Sequence, residues 1–136
     1  ARESVKALQV ADLERFRKLL TSFLADIPYS MRRKETERER ERYFHYTFYL
    51  LMRMVSCYTI YTEKQQSEGR VDCIIEVPNY VYIFEFKLDG TATEALTQIN
   101  QKGYAQPYAA DPRKLYRIGI SFSSETGTIA DWAVEE

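Results

Sequence analysis

Apolar residues recur at near-helical intervals between Ser4 and Ile27, at Val5, Leu8, Leu13, Phe16, Leu19, Leu20, Phe23 and Leu24. That spacing predicts one long helix or two short ones. Pro28 disfavours helical geometry at the residue before it and ends the run. The stretch "ERYFHYTFYLLMRMVSCY", residues 41–58, is apolar nearly all round and predicts a helix packed inside the domain. From Thr59 the period shortens. Thr59–Thr62 predicts a short strand, and Val71–Val77 with Tyr80–Lys87 predicts a hairpin around Pro78 and Asn79. Helical intervals return at Ala92, Ala95, Leu96, Ile99 and Tyr104, and "KLYRIGISFS" and "TIADWAVE" read as two more strands. The order is helix, three strands, helix, two strands, which predicts an α/β domain with a mixed sheet flanked by helices.

Composition narrows the picture without redirecting it. A chain of 136 residues with 45% apolar and 14% aromatic residues fits one domain with its own core. No apolar run approaches the length of a membrane span, and no signal peptide opens the chain, so a cytoplasmic location without membrane contact is expected. Cys57 and Cys73 lack metal-type spacing and lie in apolar surroundings, which predicts reduced, buried thiols. His45, the one histidine, falls in the apolar helix and reads as a packed core residue. The chain starts with Ala1 and is helical almost at once, so a piece of a longer protein is expected.

Charge matters only where it is local. The net charge of −1 gives no general attraction for nucleic acid. "MRRKETERERER", residues 31–42, is either a solvated helix start laced with ion pairs or a phosphate-contacting surface. In the second case Arg33, Arg38 and Arg42, joined by Arg70, are the nucleic-acid-binding candidates.

The hairpin poses the sharper question. With Pro78 and Asn79 in the turn, Val77 faces Tyr80 and each outward step keeps the sum of positions constant. Asp72 then lies opposite Glu85, and Lys87 projects from the same face two residues on. Opposed side chains in an antiparallel pair are about 5 Å apart, so two carboxylates there repel unless a cation intervenes. A structural salt bridge through Lys87 is one answer. The other is Mg²⁺, a hard cation that takes oxygen ligands and retains waters, able to serve hydrolysis at phosphorus.

These residues resemble the D…ExK signature of the PD-(D/E)XK nuclease superfamily, in the sequence Asp72 followed by Glu85-Phe86-Lys87. The similarity is greatest to a bacterial branch found behind AAA-ATPase-like regions. The matching pieces run in order: Glu41 in "ERYFHYTFYLL", "GRVD", "EFK", "ALTQINQKGYAQPY" and "LYRIGISF", over roughly residues 28–122. Val71 stands where the "P" of the signature name would be. The resemblance implies a restriction-endonuclease-like fold at 31–136, preceded by a helical segment at 1–30 that links to an upstream ATPase-like domain. It implies Mg²⁺ or Mn²⁺ held by Asp72, Glu85 and Glu41, with the Phe86 carbonyl assisting. Lys87 would act on the attacking water, and Gln98 would be an accessory polar residue on the helix that follows. The implied substrate is nucleic acid, expected to be DNA. The rival expectation is a nuclease-like module that no longer cuts, and that binds nucleic acid or protein or regulates the attached ATPase.

Overall fold

A computed structural model describes residues 2–25, 36, 38, 39, 43, 59–65 and 70–136, with the backbone alone at 2, 59–65 and 70–72. The predicted apolar helix at 41–58, with Glu41, His45 and Cys57, lies outside the described residues apart from Tyr43.

The first helical run is two helices, α1 (Arg2–Gln9) and α2 (Leu13–Ala25). No glycine or proline marks the break. Ala11 takes left-handed geometry at φ 57°, which costs a residue with a Cβ roughly 1–2 kcal/mol. Backbone and cap bonds offset that cost. The Asp12 amide donates to the Ala7 carbonyl at 2.8 Å, closing α1. The Asp12 carboxylate accepts the Arg15 amide at 3.1 Å, opening α2.

Five strands form one mixed sheet in the order β1-β2-β3-β4-β5: β1 (Thr59–Gln65), β2 (Arg70–Val77), β3 (Tyr80–Leu88), β4 (Lys114–Phe122) and β5 (Ile129–Glu135). β1, β2 and β3 are antiparallel neighbours, β3 and β4 are parallel, and β4 and β5 are antiparallel. The architecture is the α/β, restriction-endonuclease-like one expected. β1 runs three residues further than its sequence pattern predicts.

Parallel pairing of β3 with β4 requires a crossover, and helix α3 (Ala92–Lys102) supplies it. Thr91 caps its start by accepting the Glu94 amide at 3.1 Å, and Asp131 accepts the Ala92 amide at 2.9 Å. The helix stops at Gly103, so Tyr104 lies beyond it. Ala92, Ala95 and Ile99 turn inward and are fully buried. They come so close to β4 that a methyl group at Gly119 would collide with the Ala92 carbonyl.

The opposite face of the sheet holds the main core. Tyr82, Phe84, Phe86, Ile118, Ile120 and Phe122 bury themselves against Leu8, Phe16, Leu20 and Leu24 of α1 and α2. Phe16 packs its ring 5.7 Å from Phe84 and 6.4 Å from Trp132. The buried Tyr82 hydroxyl donates to the Leu8 carbonyl at 2.5 Å, and burial raises its pKa well above the ordinary tyrosine range. Among the described residues, no helix is long and apolar enough to cross a membrane.

Candidate active site

Alternation along β3 decides which charges meet. Tyr82, Phe84 and Phe86 point into the core under α1 and α2, so Val81, Ile83, Glu85 and Lys87 point to the α3 face. The two-residue turn at Pro78-Asn79 fixes the register: Val77 pairs with Tyr80, Asp72 with Glu85, and Arg70 with Lys87. The same row continues across the sheet, from Glu63 on β1 through Asp72 and Glu85 to Gly119 on β4. Directly paired positions share a face, so Glu63, Asp72 and Glu85 occupy one line across three strands. Gly119, next in that line, is where α3 settles onto the sheet, over β3, β4 and β5.

Glu85 is the unusual residue. Its side chain has no exposure to water. Oε1 lies 3.5 Å from the ammonium of Lys102, and Oε2 has no hydrogen-bond partner among the described residues. Burying a carboxylate so incompletely paired costs stability, and the sheet offers no packing reason for it. An orphaned carboxylate oxygen in register with a second acidic position suits a hard divalent cation.

Helix α3 supplies the counter-charges. Lys87 bonds to Glu94, and that bond together with the lysine's charge holds the Glu94 carboxyl below the usual carboxylate range. The stem of Lys87 crosses Gly90, where any side chain would occupy the same space. Glu94, Gln98 and Lys102 recur every four residues, so they form one line along the helix. The half-buried Gln98 therefore stands between the partner of Lys87 and the partner of Glu85.

Of the residues expected in the site, Asp72, Glu85 and Lys87 share the α3 face by register, and Gln98 stands on the helix beside them. Glu41, Arg33 and Arg42 lie outside the described residues. Arg38 is exposed, and Arg70 is described by its backbone register opposite Lys87.

A model of the PD-(D/E)XK nuclease superfamily matches residues 39–132, more than half of the chain. The chain belongs to that superfamily. A curated relative, "Uncharacterized protein in vnfD 5'region" of Azotobacter chroococcum mcd 1, is 31% identical over 119 residues. The match takes in 86% of this chain and 23% of the relative, so the chain spans about a quarter of that protein's length. No solved structure matches. Enzymes of this superfamily generally use divalent metals, which agrees with the orphaned oxygen of Glu85.

Sequence reasoning assigned no role to Lys102 or Glu94. The available signal was their spacing of four on either side of Gln98, within a helix that follows the ExK strand directly.

Proposed function

We propose that the chain is a divalent-metal-dependent nuclease domain that hydrolyses phosphodiester bonds, with DNA as the substrate. The observation that carries this reading is Glu85: a fully buried carboxylate with one oxygen unpartnered among the described residues, opposite Asp72 in register. Two ionised carboxylates at opposed positions, about 5 Å apart, repel by roughly 3 kcal/mol at an effective dielectric constant of about 20. A divalent cation turns that repulsion into attraction.

Asp72 and Glu85 would hold Mg²⁺ or Mn²⁺, with Glu41 adding a third carboxylate. When bound, the ion would supply a water of lowered pKa and a counter-charge for phosphoryl oxygens. Lys87 orients the attacking water and balances negative charge gathering on the phosphate. Gln98 holds a polar contact to the same group from α3. Arg33, Arg38, Arg42 and Arg70 contribute phosphate contacts, which the net charge of −1 cannot supply by itself. In the longer protein an upstream ATPase-like region would deliver the substrate to this domain.

The test is cleavage of plasmid and linear duplex DNA with Mg²⁺ or Mn²⁺, alongside calorimetric titration of Mn²⁺. Asp72→Ala should lose both Mn²⁺ binding and cleavage. Lys87→Ala should keep Mn²⁺ binding and lose cleavage by at least about 100-fold. Undiminished cleavage in Lys87→Ala would sink the assignment. Failure of the parent chain to bind Mn²⁺ would favour a module that binds without cutting.

A further inference from the structure

Lys102 forms an ion pair with Glu85, and the nuclease reading above gives it no task. Its ammonium is 3.5 Å from Glu85 Oε1, and its side chain is 21% exposed, whereas that of Glu85 is fully buried. The same ammonium lies 5.5 Å from the centre of the Tyr104 ring, just past the end of α3. At that distance the ammonium is within cation–π range of the ring while it also faces Glu85. Lys102 therefore has a buried anion on one side and an aromatic face on the other.

We propose that Lys102 is a resident counter-ion that competes with the divalent metal for Glu85 and sets how tightly the site takes it. The inference rests on the nuclease reading of Asp72 and Glu85. In the metal-free protein the ammonium balances part of the charge of a buried carboxylate. A divalent ion held by the Glu85 carboxylate would share it with the ammonium, and two cations at one buried carboxylate repel. With an ion bound, Lys102 would turn its ammonium toward water, to which its side chain is already partly open. The metal's affinity thus carries a standing penalty, and removing the lysine's charge removes it. More net negative charge among the ligands means tighter binding of a hard cation.

The experiment is Mn²⁺ titration of the metal-free 136-residue chain at pH 8 by calorimetry, with thermal unfolding measured with and without the ion. Lys102→Met should bind Mn²⁺ roughly tenfold more tightly than the parent. It should also melt lower without metal and gain more from Mn²⁺ than the parent does. Lys102→Arg, which keeps the charge, should bind Mn²⁺ within about twofold of the parent. A purely structural lysine predicts lower melting in Lys102→Met with unchanged or weaker Mn²⁺ affinity, and that result overturns the proposal. Glu85→Gln is the control for the underlying site. Mn²⁺ affinity that is unchanged in Glu85→Gln overturns the metal site itself, and the role of Lys102 with it.

Discussion

On one face of β3, Tyr82, Phe84 and Phe86 lie wholly among aromatic and aliphatic neighbours from two helices and three other strands. On the other face, Val81 and Ile83 begin in the same way, and then Glu85 and Lys87 replace the hydrophobes toward the end of the strand. The backbone is common to both faces, so the difference lies in what each is for. The aromatic face gains free energy from every ring it hides. The α3 face hides a carboxylate, which no fold needs for its stability. The strand thus anchors the domain on one side and holds chemical groups rigidly in place on the other. A site built on a central strand is more exact than one built on a loop.

The largest effect expected from breaking this contrast is on the aromatic face. Phe84 is fully buried and lies 5.7 Å from Phe16 and 5.9 Å from Phe86, ring centre to ring centre. Phe84→Ala should cost about 3–5 kcal/mol, a large part of the 5–15 kcal/mol that ordinarily holds a domain folded. Urea unfolding followed by tryptophan fluorescence would measure it, since Trp132 packs against Phe16 in the same core.

One residue further along, no such loss should follow. Glu85→Gln keeps the shape of the side chain and removes the buried charge. The lysine left behind is partly exposed and has the Tyr104 ring nearby, so it is not stranded. The metal-free variant should therefore be at least as stable as the parent, because the buried charge is gone, and should gain nothing from Mn²⁺. A loss of stability instead would make Glu85 a structural partner of Lys102 and return the α3 face to ordinary salt-bridge duty.

The register of the hairpin was legible because a two-residue turn leaves no freedom: once Pro78 and Asn79 occupy it, Asp72 must face Glu85. Helix α3 was legible from the spacing of Ala92, Ala95 and Ile99, and Thr91 and Gly103 mark its ends. The break between α1 and α2 was not, because Ala11 carries no signal for left-handed geometry and only the bonds around Asp12 reveal it. The pairing of Glu85 with Lys102 was also hidden. Seventeen residues separate them, and the reach of a lysine depends on where the helix crosses the sheet. That crossing is set by Gly119, a packing fact and not a periodic one. Burial was the remaining unknown: the sequence places Glu85 on a face, and only the packing of α3 shuts out the water.

The smallest effect belongs to the outermost pair on the α3 face. Glu94 is exposed, and its bond to Lys87 holds its carboxyl below the ordinary value of 4.5. A carboxyl whose folded pKa is depressed contributes stability above its unfolded pKa and loses it as the pH falls through the folded one. The Lys87–Glu94 bond therefore helps at neutral pH and lapses in acid. Glu94→Gln removes that contribution. Melting curves between pH 7 and pH 3 should show the parent losing its advantage over Glu94→Gln as the pH drops below the ordinary carboxylate range. The gap at pH 7 should be small, because water and salt screen an exposed pair. High salt should close most of it. If the gap instead widens in acid, Glu94 acts on the fold by some route other than its charge, and Lys87 would have to be oriented by its passage over Gly90 alone.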